Sequence, residues 1–193
     1  MISEDKSILR KTIKDEIASF SDEYIKYSDD GIYQNVVNLK EFIDAESIFI
    51  YYSIDREPAT HLIAQKALDM GKTVAFPLCY KEGVMDAHIV SNLNEFDSLN
   101  SVIGIPSPNV STPIILPNNL ELVIVPALAY NFEGYRLGLG GGYFDRYLDG
   151  LSVFTVGLAR EKLMKYDIPI ESHDVPVSCI ATESGIYRTD HRS

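Results

Sequence analysis

Four glycines, two arginines and an aspartate stand among aromatic residues in RLGLGGGYFDRYL, residues 136–148. Glycine loses more conformational freedom on folding than any other residue, so this density points to a backbone that something approaches closely. Tyr143, Phe144, Tyr147 and Leu148 argue against a flexible linker and predict a helix beginning near Tyr143. Gly138, Gly140, Gly141 and Gly142 then form a tight loop whose amides face an anion. Amides of consecutive small residues make a concave nest for negative charge, and a helix start adds partial positive charge. Arg136 offers a bidentate clamp for phosphate oxygens. Asp145, in the first turn of that helix, either complements the helix dipole or holds Mg²⁺ against the phosphates.

Two better-known phosphate grips do not fit. The dinucleotide pattern G-x-G-x-x-G starts correctly at Gly138 and Gly140, but Tyr143 takes the place of the third glycine. The loop also begins several residues past the preceding strand, beyond NFEGYR. The string Gly71-Lys72-Thr73 lacks the glycine that a phosphate loop needs at position 66, which is Lys66, and it runs from helix to strand.

The 193 residues carry 46% hydrophobic and 23% charged side chains, the profile of a soluble globular protein, and they read as one domain over 1–193. A net charge of -11 argues against a nucleic-acid surface. It also means that an anion must be held by a few placed cations, backbone amides or a metal ion. No apolar run approaches the roughly 18 residues of a membrane span, and the charged start MISEDKSILRKTIKDE is neither a signal peptide nor an anchor. Cys79 and Cys179 have no ligand spacing and read as two buried thiols in a reducing cytoplasm.

The elements that must position the loop follow from periodicity. Leu9, Ile13, Ile17 and Phe20 predict a helix over 4–20, whose other face carries Lys6, Arg10, Lys11 and Lys14. On spacing alone that cationic strip is a solvated face. A second helix is expected over 31–43, with Ile32, Val36, Leu39 and Ile43 inward, and another over 59–70, stopped by Gly71. Strands are expected at 47–53, 73–78, 85–90, 120–130, 153–159 and 175–182, with irregular chain over 91–119. Strand–helix–strand at this spacing gives parallel pairing. The fold class is α/β, a single three-layer domain with a mostly parallel central sheet flanked by helices, Rossmann-like without a dinucleotide fingerprint. Ligands in such sheets sit beyond the carboxyl ends of the strands, where the loops after Tyr52, Pro126 and Ala159 fall.

The run VIVPALAYNFEGYRLGLGGGYFDRYL resembles the signature of the 5-formyltetrahydrofolate cyclo-ligase family, R-L-G-x-G-x-G-Y-Y-D-x-Y-L after a strand and a proline turn. KSILRK is similar to the family's K-x-x-L-R element, and SIDREPAT to its loop after the first strand. MGKTVAFP, GIPSP and IPIESHDVPV resemble three further elements in the family's order. The resemblance extends over most of the chain.

It implies a ligase that uses ATP and Mg²⁺ to close 5-formyltetrahydrofolate into 5,10-methenyltetrahydrofolate, releasing ADP and phosphate. By the same match Lys6, Arg10 and the run Arg136, Leu137, Gly138, Leu139, Gly140, Gly141, Gly142, Tyr143 and Phe144 would bind ATP. Arg136 and Tyr143 would be catalytic. Tyr52 and Glu57 would face the pterin, together with Leu139, Gly140, Gly141, Gly142 and Tyr143, while Asp145 and Asp174 would serve the magnesium. A glutamate suits a pterin because its two oxygens accept paired N–H groups from an aminopyrimidinone edge. The partners are then small molecules, ATP and a reduced folate, acting on a cytoplasmic monomer without nucleic acid or membrane. Phosphoryl transfer of this kind relies on positioning and charge neutralisation, in keeping with the absence of a nucleophile elbow or a histidine cluster.

Phe144 stands where the family usually has tyrosine, Leu139 and Gly141 where some relatives are basic, and GLAREKL lacks the F-x-x-Q pattern of many members. Two other readings compete. A sugar-phosphate isomerase or CoA-transferase relative would use Glu57 or Asp174 as a base but leaves Lys6 and Arg10 unexplained; a non-catalytic nucleotide-binding module would have no use for Asp145 and Asp174 as metal ligands.

Overall fold

The computed structural model describes residues 2–94, 96–97 and 104–190; positions 95 and 98–103, inside the stretch read as irregular, lie outside the described residues. The chain opens with helices α1 (Ile2–Ser19), α2 (Asp22–Val37) and α3 (Lys40–Asp44), then strand β1 (Ser47–Ile50), helix α4 (His61–Asp69) and strands β2 (Thr73–Cys79) and β3 (Met85–Val90). Short strands β4 (Phe96–Asp97), β5 (Ser107–Pro108) and β6 (Ile114–Ile115) lead to β7 (Leu122–Val125). The last part holds β8 (Ala129–Tyr130), β9 (Arg136–Leu137), α5 (Tyr143–Leu148), β10 (Phe154–Leu158), β11 (Cys179–Thr182) and β12 (Gly185–Arg188).

One eight-stranded sheet runs in the order β12-β11-β10-β7-β1-β2-β3-β6. It is parallel from β11 through β2 and antiparallel at both flanks. Side chains alternate across it as the pleat requires. Ile48, Ile50, Val74, Phe76, Leu122 and Ile124 pack on one face against Ile32, Val36 and Phe42 of α2 and α3 and Ile63 and Ala67 of α4. Phe49, Ala75, Val123, Val125 and Ile180 pack on the other, against Leu148 of α5 and Tyr130. The middle layer is thus covered on both sides, which is why its parallel strands read as continuous apolar runs. α1 lies on a separate hairpin: Ile13 and Phe20 pack against Leu128, Ala129 and Leu137, the last two from paired strands β8 and β9.

Several boundaries differ from the reading by periodicity, each for a local reason. The helix expected over 31–43 is two, and the first begins at Asp22, where the Ser21 hydroxyl accepts from the Tyr24 amide. Gly31, which looks like a helix break, sits mid-helix because a β-carbon there would lie 2.7 Å from Glu183 Cβ. Ile43, expected inward, is exposed. The run 120–130 leaves the sheet at Val125 and re-pairs as β8 with β9. Residues 175–177, expected as strand, are bonded elsewhere: Val175 to Arg136 and Asp145, and the Val177 amide to the Gly134 carbonyl. Gly71 does end α4: its amide and that of Lys72 close on the carbonyls of Leu68 and Ala67.

Candidate active site

β2 follows β1 on one side of the sheet, whereas β7, β10 and β11 are laid down on the other, so the strand order reverses between β1 and β7. In open α/β sheets that reversal leaves a crevice beyond the carboxyl ends of the two strands. The crevice here is a cavity of about 240 Å³, with Tyr51, Tyr52 and Glu57 after β1 and Pro126 and Ala127 after β7. Its wall also takes in Lys6 and Arg10 of α1, residues 136–145, Glu171, His173 and Asp174, and, from β2 to β5, Pro77, Cys79, Met85 and residues 105–107. Every residue singled out from the sequence as a site residue therefore lines one cavity.

The cationic strip of α1 divides. Lys11 and Lys14 are exposed, as a solvated face would be, but Lys6 is buried and turned inward with Arg10 one helical turn later. Lys6 Nζ donates to Asp174 Oδ2 at 2.6 Å and to Glu171 Oε2 at 2.9 Å. Burial pulls the pKa of Lys6 down, but the hydrogen bonds and charges of Asp174 and Glu171 outweigh it, and the net direction is up. Arg10 Nε donates to the carbonyl of Gly138 at 2.8 Å, and its guanidinium lies over Gly140, where a β-carbon would come within 3.5 Å. The first helix thus grips the glycine loop directly.

The loop itself is set by two positive φ angles, 105° at Gly140 and 65° at Gly142, a region that side chains disfavour. Gly142 ends the loop where α5 begins. Arg146, not singled out from the sequence, closes the turn from below: it donates to the carbonyls of Gly141 and, at 3.1 Å, Gly83. Tyr143 donates its hydroxyl to the Tyr80 carbonyl at 2.9 Å, while Phe144 stacks on Phe49 with ring centroids 5.9 Å apart. Phenylalanine at 144 therefore gives up a hydroxyl and packs into the sheet while still bordering the cavity.

Arg136 is carried on β9 by a hairpin whose turn is built on Asn131; the Asn131 side-chain oxygen accepts from the amides of Glu133 and Tyr135. Its buried guanidinium donates to Asp145 Oδ1 at 2.5 Å and to the Val175 carbonyl at 2.7 Å. Asp145 also accepts from the Val175 amide at 3.3 Å. Asp174 groups with Glu171 and His173: their ligand atoms lie within 4.8 Å of one another, the one such acidic or histidine cluster among the described residues that could hold a metal ion. Glu171 and His173 were missed because two acids and a histidine in a loop carry no spacing signal; Lys6 is what draws the acids together.

On the opposite side, Tyr52 packs against Phe96 at a centroid distance of 4.9 Å. Glu57 is partly buried, and desolvation raises its pKa above 4.5, opposed by the Ile54 amide that donates to its Oε2 at 3.0 Å and assisted by the charge of Asp55. Cys79 borders the cavity as a thiol, its pKa pushed up to about 11 by burial. Both cysteines are free and buried, as expected.

A cavity at the switch point of a mostly parallel sheet, walled by three cations and a glycine loop, defines the class: an α/β protein with a candidate small-ligand site at the carboxyl edge of its sheet. The family model described as the 5-formyltetrahydrofolate cyclo-ligase family matches residues 2–183, and the chain belongs to that family. A probable 5-formyltetrahydrofolate cyclo-ligase of Caenorhabditis elegans is 30% identical over 94% of either chain. The 5-formyltetrahydrofolate cyclo-ligase of Haemophilus influenzae is 29% identical over 78% of this chain and 82% of its own. Among solved structures, the 5,10-methenyltetrahydrofolate synthetase of Aquifex aeolicus superposes with a TM-score of 0.83 at 27% identity, covering 97% of this chain and 95% of that one. Its mixed, mostly parallel sheet flanked by helices is the same fold. No helix among the described residues is long and apolar enough to cross a membrane.

Proposed function

We propose that the chain, acting as one monomeric domain, converts 5-formyltetrahydrofolate and ATP into 5,10-methenyltetrahydrofolate, ADP and phosphate with the help of Mg²⁺. The observation that carries this reading is the convergence of Lys6, Arg10, Arg136 and the loop of Gly138–Gly142 on one cavity whose far wall is Tyr52 and Glu57. The lining sets Lys6, Arg10 and Arg136 against Glu57, Asp145, Glu171 and Asp174, so an anion would be held by individually placed cations, loop amides and a metal ion rather than by a net positive field. ATP would lie along Lys6, Arg10 and residues 136–144, and the folate against Tyr52, Glu57 and the loop residues Leu139–Tyr143.

The chemistry asks for little from the protein beyond alignment. A formyl oxygen leaves poorly, so it must first take the terminal phosphoryl group; the neighbouring secondary amine then attacks the formyl carbon. A C–N bond forms, the C–O bond breaks, the amine proton is lost and phosphate departs. Arg136 has five N–H donors and uses two on Asp145 and Val175, so others remain for phosphate oxygens. Tyr143, with its hydroxyl tied to Tyr80, borders the reacting groups as a fixed wall. Holding both substrates so is worth a large share of the barrier, because positioning replaces a bimolecular encounter.

The donor set suits magnesium, which takes one or two carboxylates and keeps water and phosphate oxygens as its other ligands. Asp145 bonds Arg136 and Val175 through Oδ1, and Asp174 bonds Lys6 and the Glu171 amide through Oδ2. Each aspartate thus keeps its other oxygen for the ion, and Glu171 and His173 flank the second. When bound, the metal would neutralise charge on the phosphates. Two buried thiols are in keeping with a reducing, cytoplasmic setting. The test is calorimetric titration of Mg-ATP into wild type, Lys6→Ala and Arg10→Ala. Binding weakened at least about tenfold in each folded variant is expected for the loss of a charge-assisted phosphate contact; unchanged affinity in both would refute the ATP assignment to α1.

A further inference from the structure

Arg160 lies in GLAREKL, the stretch that lacks the F-x-x-Q pattern, yet among the described residues it heads the largest fully buried side chains, at 0% exposure. It follows β10 and reaches back between α2 and the loop after β1. One terminal nitrogen donates to the Ser28 hydroxyl, to Asp29 Oδ1 at 2.9 Å and to the Ile25 carbonyl at 3.3 Å. The other donates to the carbonyls of Arg56 and Glu57, at 3.1 and 3.2 Å. Its Nε is buried and has no hydrogen-bond partner among the described residues, so the two terminal nitrogens do the holding seen there. Asp29 extends the same clamp by accepting from the Ala59 amide at 3.2 Å.

The loop held in this way is the one that presents Glu57. Its turn closes on Ile54, through the Glu57 amide to the Ile54 carbonyl and the Ile54 amide to the Glu57 carboxyl, both at 3.0 Å. Asp55 within it has φ of +50°, a conformation that persists only where the surroundings over-determine it. Behind the turn lies a second cavity, of about 440 Å³, lined by residues 54–58 and by Arg160; Glu57 also lines the first. The turn is therefore a partition with open space on both sides, and two of its carbonyls are tied by one guanidinium. A buried charge is costly unless paired and hydrogen-bonded; here Asp29 of α2 supplies the opposite charge, and the loop supplies two of the five acceptors.

We propose that Arg160 is a positioning residue for folate recognition: by fixing the carbonyls of Arg56 and Glu57 it sets the direction of the Glu57 carboxyl. The proposal rests on Glu57 facing the pterin. Loss of the clamp lets the turn relax into the second cavity, which weakens the folate side of the site and leaves the ATP side alone.

The experiment is steady-state kinetics of Arg160→Gln, Arg160→Lys, Glu57→Gln and the Arg160→Gln/Glu57→Gln double variant, with KM for 5-formyltetrahydrofolate and for ATP read separately. Arg160→Gln is expected to raise the folate KM about tenfold with the ATP KM within about twofold of wild type, and Arg160→Lys to recover part of the loss. In the Glu57→Gln background, Arg160→Gln should add less than about twofold, because both changes remove one interaction. A general structural role would lower melting temperature and depress kcat without favouring one substrate. Equal changes in both KM values, an unchanged folate KM in a folded variant, or full additivity with Glu57→Gln would each overturn the proposal. Where Arg160→Gln does not fold, the cycle is run with Arg160→Lys, whose charge still meets Asp29. If Glu57→Gln alone leaves the folate KM unchanged, the placement of the folate fails instead.

Discussion

Replacing Asp145 by asparagine separates three things that this carboxylate could do. As a complement to the dipole of α5 it is worth about 0.3–1 kcal/mol. The structure gives it a second role, since Oδ1 meets the Arg136 guanidinium at 2.5 Å with the two side chains only 20% and 5% exposed. Hydrogen bonds to charged groups contribute about 1.5–3 kcal/mol, and breaking a fully buried pair costs about 3–5 kcal/mol. Asparagine keeps an oxygen in place and the site is partly open, so about 2 kcal/mol is the expected loss. For a chain of 193 residues that lowers the melting temperature by about 4–8 °C. The assay is thermal unfolding of the ligand-free protein for Asp145→Asn, Arg136→Met and the double variant. A coupling near 2 kcal/mol is expected. A fall of under about 1 °C, or strict additivity, would refute the ion pair as a structural element. The third role, holding magnesium, is read by turnover against magnesium concentration. There Asp145→Asn should need more magnesium, and curves superimposable with wild type would remove Asp145 from the metal site.

Three further outcomes follow from burial. The raised pKa of Glu57 means that its carboxylate protonates at a higher pH than the ordinary 4.5, so the folate KM should climb as pH falls through that raised value, and Glu57→Gln should flatten the limb. A raised acid contributes stability that is present below its unfolded pKa and lost as pH rises through the folded one; Glu57→Gln should therefore melt no lower than wild type at neutral pH, and a clear drop would contradict the desolvation argument. At Gly157 a β-carbon would stand 2.4 Å from Tyr130 Cζ, whose buried ring is pinned by a 2.9 Å bond from its hydroxyl to the Val125 carbonyl. Gly157→Ala should destabilise by about 1–3 kcal/mol or more in denaturant unfolding, and a neutral effect would mean that the ring moves freely.

Much of this was legible from residue order. The α/β class, the parallel centre and the start of α5 followed from apolar runs and periodicity, because burial on both faces leaves a simple pattern. The glycine density matched a loop with positive φ at Gly140 and Gly142, and the resemblance across the chain named the family. What did not show was long-range. That Lys6 is buried between Asp174 and Glu171 depends on chain more than 160 residues away in sequence. That Arg136 and Asp145 bind each other is invisible in a motif that lists them as separate ligands. Arg160 stands in sequence beside glutamate and lysine like any surface arginine, and only the approach of α2 and the loop after β1 gives it five acceptors. β12 was missed because it is a half-exposed edge strand with one residue after another of mixed polarity.

The central claim is tested most directly by mixing the purified protein with 5-formyltetrahydrofolate and Mg-ATP and following the near-ultraviolet absorbance of the methenyl product together with ADP. Methenyl product and ADP rising in equal amounts, with neither formed when ATP or the folate is left out, is the predicted result. ADP release without methenyl product, or product formed without ATP, would contradict the account.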